Sequence, residues 1–326
     1  MQRGGRRDRA QGGARLRPVA PRASSGARGR GDRLTGSLKI AAAPITWGVC
    51  EVPGWGRQLG SGRVLSEIAR AGLAATELGP RGFLPDDPAR IRARLAAHGL
   101  ELVGGFVPAV LHRAAIRDEQ LALVEESARM LAGAGAEVLV LAAETGIPGY
   151  DTSFLPSDAE WDALGDGIAG VLEIGRRHGL TVAFHPHYGT VVEREDQIRR
   201  LLATTDVSLC LDTGHLVVAG ANPVAVARAA RGRVAHVHLK DVDAEMAERV
   251  RAGELGYRDA VRQDLYRPLG QGDVDLVSLV EILRNDGFDG WYVLEQDLVL
   301  DHDRDGARPL ENALHSVGFL RRLMAA

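Results

Sequence analysis

The stretch Asp158–His187, DAEWDALGDGIAGVLEIGRRHGLTVAFHPH, holds one complete unit of a repeating pattern. Asp158–His178 carries the i, i+3, i+4 apolar spacing of an amphipathic helix. Gly179 then ends the helix, and Thr181–His185 follows at once as a short apolar strand. The same order of helix, glycine and strand recurs at Ala71-Gly72-Leu73 and His98-Gly99-Leu100.

Outward from this unit the pattern predicts eight strands: Leu38–Ala43, Ala74–Leu78, Leu100–Gly105, Val138–Ala142, Thr181–His185, Ser208–Asp212, Val234–Leu239 and Trp291–Glu295. Helices are expected at Arg63–Ala71, Pro88–His98, Asp118–Ala132, Asp158–His178, Asp196–Ala203, Pro223–Arg231, Asp275–Asp286 and Glu311–Met324. Alternation of this kind predicts an α/β fold, a single-domain (β/α)₈ TIM barrel over residues 38–326 serving as the catalytic domain. An open doubly wound sheet would usually show a nucleotide-binding turn, and neither G-x-G-x-x-G after the first strand nor a phosphate loop is present. Asp241–Asp273, long and without a strand of the pattern, reads as an insertion over the active face.

Composition narrows the function classes. The 326 residues are 45% hydrophobic and carry a formal net charge of −3. Met1–Ser37 holds ten arginines against two aspartates, a charge of +8, which leaves −11 for the other 289 residues. This Arg/Gly-rich segment lacks periodicity and is expected to be a disordered extension, dispensable for activity. It offers no aromatic residue for base stacking and the body is acidic, so nucleic acid is not the expected partner. Cys50 and Cys210 are the only cysteines, which excludes a disulfide-built scaffold, and both read as small apolar fillers. No apolar run reaches the roughly 20 residues of a membrane-spanning helix, and no secretory h-region follows the arginines, so a cytoplasmic protein is expected.

In such a barrel alternate strand residues point inward, and chemistry gathers at the C-terminal mouth. On Val234–Asp241 the apolar set Ala235, Val237 and Leu239 is expected outside, which turns His236, His238 and Lys240 inward. Buried polar groups cost several kcal/mol, in order of magnitude, unless paired or bound to a metal. Lys240 is one of two lysines in an arginine-rich chain, which suggests a need for a titratable amine or a compact cation. By the same parity His185 and His187 point to the mouth from strand five, Asp212 from strand six with His215 on the loop beyond, Glu295 from strand eight and Glu77 from strand two. His185, Asp212, His238 and Glu295 thus form a ring, one per strand, suited to Mn²⁺, Co²⁺, Zn²⁺ or Fe²⁺.

These residues carry a resemblance. Leu211-Asp212-Thr213-Gly214-His215, His236-Val237-His238-Leu239-Lys240-Asp241 and Glu295 are similar to the xylose isomerase-like barrel superfamily, the sugar phosphate isomerase/epimerase group, over nearly all of Leu38–Met324. Within it the chain looks most like the myo-inosose-2 dehydratases of inositol catabolism. The residues are Ala43-Pro44-Ile45-Thr46-Trp47-Gly48, Thr76-Glu77-Leu78-Gly79-Pro80 with Gly82-Phe83-Leu84-Pro85, and His185-Pro186-His187-Tyr188-Gly189-Thr190.

The resemblance implies metal ligands at Asp212, His238 and Glu295. His185 stands where many relatives place a glutamate, with His187 and Glu144 as rivals for the fourth position. It implies a divalent ion, Mn²⁺ or Co²⁺ ahead of Mg²⁺ or Zn²⁺, and a hydro-lyase that dehydrates a keto-inositol through a metal-stabilised enolate. The alternative is an isomerase or epimerase of a ketose or sugar phosphate. Lys240 and His187 are the expected base and acid, in either order. His215, His236 and Glu77 would hydrogen-bond substrate hydroxyls or orient ligands, and Trp47 would wall the mouth. The expected partner is a small polyol or ketose, without nucleic acid or membrane, and with a homo-oligomer allowed.

Overall fold

A computed structural model describes residues 39–301 and 306–325. The expectations for Met1–Ser37 lie outside the described residues. Eight parallel strands close into a barrel: β1 (Lys39–Ala42), β2 (Ala75–Glu77), β3 (Glu101–Ala109), β4 (Val138–Ala143), β5 (Thr181–Phe184), β6 (Ser208–Asp212), β7 (Val234–Leu239) and β10 (Trp291–Leu294). Neighbours follow chain order around the ring, and β1 shuts it by pairing with β10 on one side and β2 on the other. A two-stranded antiparallel hairpin, β8 (Asp241–Val242) with β9 (Tyr266–Arg267), stands outside the barrel sheet.

Eleven α-helices are present among the described residues: α1 (Ser61–Arg70), α2 (Pro88–Ala96), α3 (Arg117–Ala134), α4 (Asp158–His178), α5 (Glu195–Thr204), α6 (Thr213–Val218), α7 (Pro223–Ala229), α8 (Ala244–Arg251), α9 (Tyr257–Arg262), α10 (Leu276–Asn285) and α11 (Arg308–Ala325). None is long and apolar enough to cross a membrane. The α4–β5 unit shows how the sequence builds the layers. Ser157 and Glu160 cap α4 reciprocally, and Gly179 ends it at φ 69°. At Gly175 a Cβ would lie 2.5 Å from Val182 Cγ2 and 2.9 Å from Leu180 O, so only glycine lets the helix settle on the strand. Val182 and Phe184 then join the apolar layer between strands and helices, where each buried large side chain contributes about 1.5–3 kcal/mol.

The barrel interior is small and apolar in its lower part, with Ala41, Ala75, Val103 and Val293 in one cluster and Val138, Val140, Ala183 and Cys210 in another. Burial pushes the Cys210 thiol up to about 11, so it packs as a neutral side chain.

Two expectations are corrected. Strand β3 runs on to Ala109 rather than ending at Gly105. Gly104 and Gly105 read as a stop, yet they answer to crowding: a Cβ on Gly104 would meet Val138 O at 2.9 Å, and one on Gly105 would meet Leu131 Cδ2 at 2.8 Å. Ala235 does not belong to the outward set. The β6–β7 register steps from Leu209↔Val234 to Cys210↔His236, so β7 holds one extra residue and Ala235 packs against the inner cluster.

Candidate metal centre

The bulge in β7 sets the site. Beyond it Asp212 pairs in register with His238, and both side chains face inward above Cys210. His185 follows β5 and Glu295 follows β10; each donates its backbone N–H to the neighbouring strand, to Leu141 O and Leu239 O, so both side chains are held at the rim. Nε2 of His185 lies 3.1 Å from His238 Nδ1 and 3.3 Å from Asp212 Oδ2. Nδ1 of His238 lies 3.6 Å from Asp212 Oδ2 and 3.3 Å from Glu295 Oε2. The four side chains of the expected ring therefore converge, and all are buried.

Two further contacts orient this group. Glu77 Oε1 accepts from Nε2 of His236 at 2.8 Å and of His238 at 3.0 Å, which leaves Nδ1 of His238 for the ring. Asp212 is the N-cap of α6, its Oδ1 accepting from Gly214 N at 2.8 Å and His215 N at 2.9 Å, so Oδ2 alone faces the mouth. Burial works against the Asp212 carboxylate, but Lys240 and His215 hold its pKa well below the usual range.

Lys240 lies at the centre of the charge balance. Its Nζ stands 2.7 Å from Glu295 Oε2, 3.1 Å from Asp212 Oδ2, 3.1 Å from Asp297 Oδ1 and 3.1 Å from His215 Nε2. Burial disfavours the ammonium, yet Asp212, Asp297 and Glu295 outweigh it and keep Lys240 protonated well above the ordinary lysine range. Thr213 fixes the backbone there, donating to Lys240 O at 2.6 Å and accepting from Lys240 N at 2.8 Å. Gly214 is obligatory beneath it, since a Cβ would fall 2.6 Å from Lys240 Cβ.

His187 has the opposite character. Its Nδ1–H donates to Tyr188 O at 2.7 Å, which fixes the tautomer and leaves Nε2 with a lone pair and no hydrogen-bond partner among the described residues. Burial, then His185 and Lys240, push its pKa well below the usual imidazole value. The ring stacks on His215 with centroids 3.6 Å apart.

These groups line a cavity of about 770 Å³ at the mouth, within the range of small-molecule sites. Glu77, His185, His187, His215, His238, Lys240 and Glu295 all reach it. His236 does not line it; it sits one layer below with Nε2 bonded to Glu77, a position that suits the orienting half of its expected role rather than contact with substrate hydroxyls. Trp47 is also elsewhere. It is fully buried in the layer between barrel and helices, its indole N–H donating to Glu67 Oε2 of α1 at 2.8 Å, because the turn Pro44–Trp47 folds it away from the mouth. Glu144 is exposed and outside the cluster.

Sequence reasoning missed the aromatic and acidic groups over the cluster. Tyr257 on α9 and Tyr266 on β9 join hydroxyls at 3.0 Å, and Tyr257 also donates to Asp297 Oδ2 at 3.2 Å. Phe106 and Tyr150 pack at a tilt beside His187, with ring centroids 6.0 and 5.3 Å away. Asp297 was legible in principle, because it continues the parity of Glu295 two residues further along.

Asp212, His238 and Glu295 offer ligand atoms all within 4.8 Å of one another, as do His185, Asp212 and His215. Ligands about 2.0–2.2 Å from one ion lie roughly 3–4.4 Å apart. The contacts of 3.1 to 3.6 Å that join His185, Asp212 and His238 to one another, and His238 to Glu295, have the spacing of donors around a divalent cation of mixed nitrogen and oxygen preference.

A closed parallel barrel with its polar centre at the C-terminal rim places the molecule among the (β/α)₈ proteins that keep their active sites there. The chain belongs to the xylose isomerase-like TIM barrel family, whose family model matches residues 65–323. It is 33% identical over 299 residues to the rhizopine catabolism protein MocC of Rhizobium meliloti, covering 89% of this chain and 90% of that protein. It is 31% identical over 304 residues to the inosose dehydratase of Geobacillus kaustophilus, covering 90% and 97%. Among solved structures, an L-ribulose 3-epimerase superposes with a TM-score of 0.65 at 16% identity, covering 89% of this chain and 95% of that one.

Proposed function

We propose that the chain is a divalent-metal-dependent hydro-lyase that removes water from a keto-inositol or closely related cyclic polyhydroxy ketone. The observation that carries this reading is the convergence of His185, Asp212, His238 and Glu295 beside a neutral His187 whose Nε2 is free. The inosose dehydratase relatives support the substrate class, and Mn²⁺ or Co²⁺ suits the donor set.

When bound, the cation would polarise the ketone oxygen and stabilise the negative charge that forms on it. His187 Nε2 takes the proton from the carbon α to the ketone. Lys240, kept as an ammonium by its carboxylates, faces the developing charge and serves as a fixed cation rather than as the base. The proton on His187 passes to the departing β-hydroxyl, so one water leaves and an enol remains that becomes a diketone. His215 accepts from Lys240 and, stacked on His187, limits the motion of both. Glu77 keeps His238 in the tautomer that presents Nδ1.

The alternative, epimerisation of a ketose, needs bases on two faces of the substrate. Asp212, Glu295 and Asp297 are engaged by Lys240 and Glu77 by His236 and His238, while His187 presents Nε2 on one side of the cavity, which favours elimination. The test incubates the purified chain with Mn²⁺ and a panel of keto-inositols and ketoses. Ultraviolet absorbance of an enolised diketone is expected with a keto-inositol. Solvent deuterium entering a ketose without diketone would instead establish the epimerase.

A further inference from the structure

Lys240 occupies a position that conflicts with the cation. Its Nζ contacts Asp212 Oδ2 and Glu295 Oε2, the same two oxygens that face His238 in the ring. An ammonium and a divalent cation cannot share those oxygens in a buried site without strong repulsion. The ammonium therefore needs another partner once the ring is filled.

Asp297 supplies one. Its carboxylate is buried, belongs to none of the groups whose donors converge on a cation position, and reaches Lys240 Nζ through Oδ1 at 3.1 Å. The other oxygen, Oδ2, is held by the Tyr257 hydroxyl at 3.2 Å, and Tyr257 in turn meets Tyr266 at 3.0 Å. Tyr266 lies under the lysine, with Nζ 5.5 Å from its ring centroid, and Gln296 holds the Tyr266 carbonyl at 3.0 Å. Tyr257 of α9 and Tyr266 of β9 thus support Asp297 as an acceptor for Lys240 that belongs to none of the converging donor groups.

We propose that Asp297 is a positioning residue that takes over the Lys240 ammonium when Asp212 and Glu295 bind the cation. This inference rests on the metal reading above. Asp297, Tyr257 and Tyr266 then act together, holding the Lys240 side chain beside Asp297 and so freeing the ligand oxygens.

The test is a double-mutant cycle on the full chain, read as Mn²⁺ affinity by calorimetry rather than as turnover. Asp297→Asn is expected to weaken Mn²⁺ binding about tenfold or more, because Lys240 then competes for the ligand oxygens, and Asp297→Glu is expected to recover part of the loss. Lys240→Met is expected to bind Mn²⁺ more tightly than the unaltered chain, and adding Asp297→Asn to it should change affinity little. Equal weakening by Asp297→Asn in both backgrounds would reduce Asp297 to a remote charge and overturn the inference, as would no weakening in either. Should Asp297→Asn lose its fold by circular dichroism, looser binding by Lys240→Met overturns it. If the unaltered chain binds no Mn²⁺, the metal reading falls and takes this inference with it; if it binds and the cycle shows no coupling, only the inference falls.

Discussion

Glu77 and His238, 161 residues apart, are joined by one hydrogen bond of 3.0 Å that decides which imidazole nitrogen the site can use. With Nε2–H committed to Glu77, Nδ1 is turned to Asp212 and Glu295. Glu77→Gln should therefore weaken Mn²⁺ binding by about 10–100-fold without removing a ligand, measured by titration calorimetry.

The same carboxylate links stability to pH. Burial opposes ionisation of Glu77, but His238 and His236 outweigh it and hold the pKa well below the ordinary carboxylate range. A depressed folded-state value means that its contribution is complete above the unfolded pKa and is lost as pH falls toward the folded one. Denaturant unfolding of the metal-free chain should show wild type more stable than Glu77→Gln at pH 7, with the gap closing as the pH drops below about 4. A gap that widens in acid would contradict this.

Asp212 caps α6 and, on the proposed reading, also holds the cation, and substitutions can separate the two. Asp212→Asn keeps an oxygen for Gly214 N and His215 N, so the chain should fold normally yet lose Mn²⁺. Asp212→Ala should lose the metal and also the cap of α6, at about 0.5–2 kcal/mol in chemical denaturation.

Much of the fold and site is legible in the sequence, and the failures have physical causes. Strand ends announce themselves by alternation, so His185, Asp212, His238 and Glu295 can be placed from parity alone. Parity breaks at a bulge, which is why Ala235 lies inside while Val237 and Leu239 remain outside. Helix α6 is only one and a half turns and depends on the Asp212 cap, so no periodicity marks it. Tyr257 and Tyr266 reach the site through an irregular insertion whose path depends on tertiary contacts. Asp241 is an example: its carboxylate gathers the N–H groups of Val242, Gly270, Gly272 and Val274, a role that no local spacing suggests.

Gly214→Ala tests how tightly the floor beneath Lys240 is packed. A Cβ would stand 2.6 Å from Lys240 Cβ and 2.7 Å from Tyr266 Cε1. Overpacking of this kind costs about 1–3 kcal/mol and displaces the lysine, so both the denaturation midpoint and turnover should fall.

His187→Gln removes the proposed base and leaves the ring of donors intact. Turnover should drop about 10²–10⁴-fold with Mn²⁺ content unchanged. Loss of metal in this variant would make His187 a ligand instead.

The most direct measurement is an anomalous difference map from crystals of the chain grown with Mn²⁺. A single peak is predicted about 2.0–2.3 Å from His185 Nε2, Asp212 Oδ2, His238 Nδ1 and Glu295 Oε2, with Lys240 Nζ turned toward Asp297. A map with no peak in that ring, at Mn²⁺ concentrations that support turnover, would contradict the account.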